Sequence, residues 1–141
     1  MSFRAFTLAA LVATTVLSAK PPVPNFTTLP SGLQYAEMRP GKGKLPATGQ
    51  TCAMLYRGWL YEGNRRGKLF DAAQDRKHPF SFVLGKGEVI AGWDEGIKTM
   101  KPGGMRVLIL PPALGYGNQG AGPDIPPGAT LLFEVELISI K

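Results

Sequence analysis

Cysteine and histidine are almost absent from this chain, whose 141 residues include one of each, Cys52 and His78. A single cysteine excludes a disulfide within the chain and any metal site built from several cysteines. Cys52 lies in an apolar run, which predicts a small buried side chain rather than a nucleophile. His78 stands beside Pro79 in a polar turn, so the sequence predicts neither a metal site nor a cofactor.

Concentrated charge of one sign is also missing. There are 16 basic and 10 acidic residues, which give a formal net charge of +6, but the basic residues are scattered along the chain. A nucleic-acid interface would show an ordered basic stripe or an aromatic stacking platform, and neither is visible. The sequence therefore predicts a solvated basic surface and no nucleic-acid partner.

A long hydrophobic run occurs only at the N-terminus. Arg4 precedes an apolar segment at 5–17, and the small residues Ser18 and Ala19 follow it. This pattern is typical of a secretory signal peptide and is short for a membrane span. We predict a signal peptide at 1–19 and a periplasmic or secreted location, the alternatives being an uncleaved anchor or a first buried element. The proline-rich residues 20–30 predict an extended tether before one folded domain at 31–141.

Helical segments are scarce, because 18 glycines and 13 prolines indicate many turns. One short helix is predicted where Ile90, Trp93, Ile97 and Met100 recur every three or four residues. Apolar or alternating runs predict strands, and polar stretches predict loops. The predicted strands are 33–38, 51–60, 80–84, 106–110 and 130–140, and the predicted loops are 61–68 and 111–129. These elements together predict a sheet wrapped over one helix. A loop as long as 111–129 usually has a function.

Several short motifs follow one another along the chain. Their combined order and spacing identify a protein family more specifically than any one motif does. They are Gly49-Gln-Thr-Cys52 with Tyr56 and Gly58, Phe70-Asp71, Pro79-Phe-Ser-Phe82, Leu84-Gly85, Glu88-Val89-Ile90, Gly92-Trp93-Asp94-Glu95-Gly96, Leu114-Gly-Tyr-Gly117 and Ile125 through Leu137. Over about Thr28–Lys141 the chain resembles the FKBP-type peptidyl-prolyl cis-trans isomerases. Ser31-Gly-Leu-Gln-Tyr35 is similar to the opening of bacterial exported members. The resemblance implies an α+β fold, in which an antiparallel half-barrel sheet of five to six strands curls around one short α-helix.

The resemblance also implies an apolar, aromatic pocket for proline, with Trp93 as its floor. Its expected catalytic residues are Tyr56, Phe70, Asp71 and Tyr116. Its expected substrate-binding residues are Arg76, Phe80, Val89, Ile90, Trp93, Ile125 and Phe133. The implied partners are proline-containing polypeptides and tacrolimus- or rapamycin-type macrolides, with no cofactor. The absence of a helical dimerisation arm predicts a monomer.

Departures from the family pattern fall at the predicted rim of the pocket. They are the loop at 61–68, the pair Ala72-Ala73, and Ala121 and Asp124 in the long loop. These departures are expected to change the substrate preference and the macrolide affinity. They leave the expected floor of the pocket intact. Two functions therefore stay open, an exported prolyl isomerase and a non-catalytic module that docks a proline peptide or macrolide. For each aromatic residue the alternative is plain core packing, and for Asp71 it is a turn cap.

Overall fold

The computed structural model describes residues 25–141, so the predicted signal peptide and residues 20–24 of the predicted tether lie outside the described part. Within these residues, the chain forms seven strands and one α-helix. The strands are β1 (Thr27–Thr28), β2 (Gln34–Arg39), β3 (Thr51–Glu62), β4 (Arg65–Ala73), β5 (Phe80–Val83), β6 (Met105–Leu110) and β7 (Leu131–Ile140), and the helix α1 is Ala91–Ile97.

The strands form one antiparallel sheet in the order β1-β2-β6-β7-β3-β4, and β5 also pairs with β3. The predicted α+β class, with an antiparallel sheet and one short helix, is confirmed, although the sheet in the described part of the chain has seven strands rather than five or six. Strand β1 pairs Thr27 with Tyr35, so the sheet includes residues that the sequence analysis assigned to the tether.

Strand β3 is the centre of the sheet because both of its edges are occupied. One edge pairs with β7 from Cys52 to Leu60. The other edge is shared, since β5 pairs with Thr51–Met54 and β4 pairs with Tyr56–Glu62. The end of β4 at Ala73 and the start of β5 at Phe80 therefore meet beside the middle of β3.

The polar stretch 61–68 is not a loop, and that prediction was wrong. Strand β3 continues to Glu62, β4 begins at Arg65, and Glu62 pairs with Arg65. The turn between them has two residues, Gly63 and Asn64, with φ of 57° and 61°. Positive φ at both positions is the geometry of a type I′ turn, which matches the twist of paired strands and suits glycine and asparagine. Polar side chains here reflect an exposed hairpin, not an absence of pairing.

Helix α1 packs on β6 at unusually short range because two glycines face the sheet. A Cβ atom at Gly92 would lie 2.4 Å from the side chain of Leu110, and one at Gly96 would lie 2.9 Å from that of Leu108. This close approach buries Trp93, which is 3% exposed, and the fully buried Ile97. The helix begins and ends inside its predicted range, but Met100 beyond its end is still buried.

Arg106 terminates the helix from the sheet side. Its Nη1 donates to the Gly96 carbonyl at 2.9 Å, and its Nη2 donates to the Thr99 carbonyl at 3.0 Å. The guanidinium also pairs with Glu37 at 3.0 Å and stacks 4.3 Å from the Tyr35 ring. The side chain is only 6% exposed. A cation at helical carbonyls compensates the negative end of the helix, so this one residue joins α1, β2 and β6.

The hydrophobic core lies between α1 and the inner face of the sheet. Its buried members include Leu33, Met54, Leu84, Leu108, Leu131, Val135 and Leu137. A smaller group on the outer face comprises Val107, Ile109 and Leu132 under Trp59 and Tyr61. Cys52 is fully buried in the inner core, as predicted. Within residues 25–141, no helix has the length and apolar character needed to cross a membrane.

We expect Arg106→Met to lower the free energy of unfolding by about 2–4 kcal/mol, because it leaves the Gly96 and Thr99 carbonyls and Glu37 without their donor. Urea denaturation at neutral pH measures this change. Lys101→Met, which removes an exposed cation from the neighbouring turn, is the control and should shift the free energy by no more than about 0.5 kcal/mol. Equal midpoints for the two variants would contradict the role given to Arg106.

Candidate functional site

A pocket of about 460 Å³ opens between β4, β5, α1 and the long loop before β7. Its lining residues are aromatic, aliphatic and acidic, with one glycine. The lining residues are Tyr56, Phe70, Asp71, Phe80, Gly87, Glu88, Val89, Ile90, Trp93, Tyr116 and Phe133. The structure thus brings together nine of the eleven residues that the sequence analysis named for the site.

The floor of the pocket is Trp93, held by rings that meet it edge to face. Its centroid lies 4.9 Å from that of Tyr56, 5.5 Å from Phe133 and 6.0 Å from Phe80, with interplanar angles above 80°. Such pairs contribute about 0.5–1.5 kcal/mol each beyond their buried area. The indole Nε1 is buried and has no acceptor within residues 25–141. Aromatic rings therefore form the floor of the pocket, and no oxygen atom of the described residues accepts a hydrogen bond from the indole N–H.

A β-bulge brings Phe70 and Asp71 to the same pocket. Gly58 pairs with Asp71 but its neighbour Trp59 pairs with Leu69, so Phe70 is an extra residue on β4. In a regular strand, successive side chains point to opposite faces. The bulge reorients the strand locally, which lets two consecutive side chains line one cavity.

Gly58 on β3 leaves the space that the pocket rings occupy. A Cβ atom at this position would lie 2.7 Å from Cε1 of Phe133 and 2.8 Å from Cζ of Phe70. Those two rings pack edge to face, 5.5 Å apart. Any side chain at Gly58 would therefore displace a wall of the pocket.

Asp71 orients the side chain of Tyr56. The Tyr56 hydroxyl donates to Asp71 Oδ2 at 2.7 Å, and the Ala72 N–H donates to Oδ1 at 2.9 Å. Burial raises the pKa of Tyr56, and the hydrogen bond and charge of Asp71 raise it further. Burial and the charge of Asp71 also raise the pKa of Tyr116. Both hydroxyls are therefore protonated donors at neutral pH.

Arg76 and Ile125 lie elsewhere than the sequence analysis placed them. Arg76 Nη2 donates to both carboxylate oxygens of Glu136 on β7, at 2.7 and 2.8 Å, so its guanidinium is already ion-paired. Ile125 is 6% exposed and packs in the core, while its N–H and carbonyl exchange hydrogen bonds with Ala121. Neither side chain lines the pocket, because Arg76 is paired with Glu136 and Ile125 is buried in the core.

The loop that carries Tyr116 is ordered by its own backbone. A 3-10 turn at Pro112–Leu114 opens it, and the Ala121–Ile125 bridge closes its tip with hydrogen bonds of 2.9 and 3.2 Å. Lys68 Nζ on β4 donates to Asp124 Oδ1 at 2.7 Å. Asp124, singled out in the sequence as a departure from the family, thus ties this loop to the strand that carries Phe70.

Two carboxylates that shape the segment before α1 were not predicted from the sequence. Asp94 accepts from the N–H groups of Gly85 at 2.8 Å and Gly87 at 3.2 Å. Glu88 Oε1 accepts from the Val83 N–H at 2.9 Å, and Glu88 also lines the pocket. The available signal was the placing of acidic residues within a glycine-rich stretch, where free backbone N–H groups need acceptors.

No group of three or more His, Cys, Asp or Glu side chains in residues 25–141 is arranged to hold a metal ion. The Ile90 N–H, at the start of α1 and in the wall of the pocket, has no backbone or side-chain acceptor within the described range. The Ile90 N–H, the Tyr116 hydroxyl and a floor of rings suit a ligand that is apolar with carbonyl groups.

The fold and the pocket together define a class of protein in which an antiparallel sheet and a helix-borne tryptophan enclose an aromatic pocket. A family model described as FKBP-type peptidyl-prolyl cis-trans isomerase matches residues 42–138. An FK506-binding protein of Neisseria meningitidis serogroup B is 46% identical over 109 residues, which cover 77% of this chain and 96% of that protein. The chain belongs to the FKBP-type peptidyl-prolyl cis-trans isomerase family.

Relatives occur in eukaryotes as well as bacteria, and some are much longer. FK506-binding protein 4 of Dictyostelium discoideum is 45% identical over 128 residues, which are 91% of this chain but only 34% of that protein. The chain therefore spans about a third of the length of that relative. The crystal structure of AtFKBP13 superimposes with a TM-score of 0.74 at 40% identity, covering 83% of this chain and 99% of that one.

Ultraviolet titration of tyrosinate will test the environment of the two pocket hydroxyls. We expect some of the four tyrosines of the folded chain to ionise only well above pH 10, and Tyr56→Phe and Tyr116→Phe each to remove one late step. The folded state holds these protons more tightly than the unfolded state. The stability that these two protonated tyrosines give to the folded state is therefore complete below about pH 10. It is lost as the pH rises towards their folded-state pKa. The chain unfolded in urea is the control, and an unchanged titration in Tyr56→Phe would contradict the assignment.

Proposed function

We propose that this chain accelerates the cis-trans isomerisation of Xaa-Pro bonds by binding the proline against Trp93 in the aromatic pocket. The observation that carries the proposal is the juxtaposition of a buried ring floor with the Tyr56–Asp71 hydrogen bond and the bulge that adds Phe70. Tyr56, Phe70 and Asp71 face the amide, and Phe80, Val89 and Phe133 enclose the ring. Tyr116 and the Ile90 N–H bind substrate carbonyls.

The reaction requires rotation about a bond and no covalent intermediate. The barrier of about 18–20 kcal/mol arises from amide resonance, which also gives the planar amide its large dipole. Twisting the bond reduces that dipole, so a site of rings that excludes water favours the twisted state relative to aqueous solution. Each tenfold acceleration requires only about 1.4 kcal/mol of preferential transition-state binding. A few oriented contacts are sufficient for a large effect.

The proposed ligands follow from the same surface. Proline-containing polypeptides are the substrates, and a tacrolimus-type macrolide competes for the pocket, in keeping with the name FK506-binding protein that the Neisseria and Dictyostelium relatives carry. The monomeric state stays a prediction. A docking module without catalysis would use the same floor, so measurements of turnover and of binding must be made together.

Turnover of a short Xaa-Pro peptide by the purified chain tests the proposal. We expect acceleration that a tacrolimus-type macrolide abolishes. Asp71→Asn should lower kcat/KM about tenfold or more while changing peptide affinity less, because it weakens the orientation of Tyr56 towards the amide. Asp75→Asn, in the exposed turn before β5, is the control and should retain full turnover. Binding of the peptide without acceleration of its isomerisation would refute catalysis and support the non-catalytic docking module.

We also propose that residues 1–19 export the chain to the periplasm or the medium. The support is the sequence pattern of that segment, Arg4 followed by an apolar run. Expressed in a Gram-negative host, the chain should appear in the periplasmic fraction, and mass spectrometry should show that the first residues have been removed. Leu11→Arg interrupts the apolar run and should retain the chain in the cytoplasm. Cytoplasmic, full-length wild-type protein would refute export.

A further inference from the structure

The charge of the pocket has the opposite sign to that of the chain. Basic residues outnumber acidic ones by 16 to 10, yet the charged residues that line the pocket are Asp71 and Glu88. No lysine or arginine of the described residues lines it. The pocket is therefore a local negative site on a positively charged protein.

Several other carboxylates, on β7 and in the long loop before it, are neutralised by cations. Glu134 pairs with Arg57 and Arg66, Glu136 pairs with Arg39 and Arg76, and Asp124 pairs with Lys68. These pairs are direct, with the Glu136 and Asp124 contacts between 2.7 and 3.1 Å. Within residues 25–141, neither Asp71 nor Glu88 takes part in an ion pair. Lys68 and Arg76, two basic residues near the pocket in sequence, are thus already occupied, whereas Lys86, beside Gly87, is in no ion pair within residues 25–141.

The two pocket carboxylates differ in what they can offer a ligand. Both oxygens of Asp71 accept hydrogen bonds from this chain, one from Tyr56 and one from the Ala72 N–H. Glu88 uses only Oε1, which accepts from the Val83 N–H at 2.9 Å, and its Oε2 has no donor in the described part of the chain. Glu88 is therefore the carboxylate with capacity for a further partner.

The contact with Val83 also fixes where the charge of Glu88 lies. Strand β5 pairs with β3 along one edge, and the Glu88 carboxylate accepts from an N–H of β5. The hydrogen bond orients the carboxylate without neutralising it. A glutamine at this position retains a carbonyl oxygen for Val83 and removes only the charge, so charge and structure can be tested separately.

We propose that Glu88 makes the pocket selective for Xaa-Pro segments in which a lysine or arginine flanks the proline. This inference rests on the proposed isomerase function and names its substrate class. A flanking cation would approach an oriented, unpaired carboxylate, with the charge of Asp71 adding to the attraction. Because Glu88 is exposed, the expected preference is about three- to tenfold and depends on salt.

The test compares three peptides that differ only in the residue beside proline: lysine, its uncharged analogue norleucine, and glutamate. Each residue is placed before and then after the proline, and exchange is followed by NMR, which needs no coupling protease. For the wild-type chain we expect kcat/KM to fall in the order lysine, norleucine, glutamate. The preference should shrink as the Debye length falls from about 10 Å at 0.1 M salt to about 3 Å at 1 M.

The decisive quantity is the ratio of kcat/KM for the lysine and norleucine peptides. Glu88→Gln should bring this ratio to about one, whatever its effect on the absolute rates. Glu62→Gln removes the same charge at the exposed β3–β4 hairpin and should leave the ratio unchanged. A wild-type ratio near one, or a ratio that persists in Glu88→Gln, overturns the proposal.

Failure of the isomerase function would be distinguishable from failure of this inference. If no peptide is accelerated, the proposed activity is wrong, and the affinities of the same three peptides for the wild-type chain and both variants are compared instead. An affinity order that depends on Glu88 would then support charge selection in a docking module. An order independent of peptide charge would overturn it.

Discussion

The contact of Trp93 with the rings of Tyr56 and Phe133 is the interaction on which both the core and the pocket depend. It exists because Gly92 and Gly96 allow α1 to approach β6 within the reach of leucine side chains. The indole therefore belongs to the core and to the binding surface at once. Such sharing makes the floor rigid, since a ring in a close-packed interior has few alternative positions.

The walls of the pocket depend on departures from regular backbone geometry. The bulge at Phe70 places consecutive side chains in one cavity, and the absence of a side chain at Gly58 leaves room for the rings. Polar contacts then complete the shape. Asp94 and Glu88 accept from backbone N–H groups before α1, and the Lys68–Asp124 pair joins the long loop to β4. Regular strands supply the scaffold, and a few irregular residues supply the site.

Periodicity predicted the elements well where one face is buried. The alternation in β7 and the spacing of Ile90, Trp93 and Ile97 both identified real elements, because burial selects apolar residues at the period of the backbone. The hairpin at 61–68 was missed since both its strands are largely exposed there, and exposed pairing leaves no apolar pattern. The partners of Arg106 and Arg76 could not be predicted, because long cationic side chains choose among carboxylates and carbonyls that only the fold brings together.

The two tryptophans of the chain occupy opposite faces of the sheet. Trp59 lies on the outer face, with the guanidinium carbons of Arg57 and Arg66 at 5.2 and 4.2 Å from its ring. Trp93 lies at the bottom of the pocket. A Trp59→Phe variant would leave one indole whose emission comes from the binding site alone. The fold thus contains its own optical probe, and occupancy of the pocket can be followed without attaching a label to the protein or its ligand.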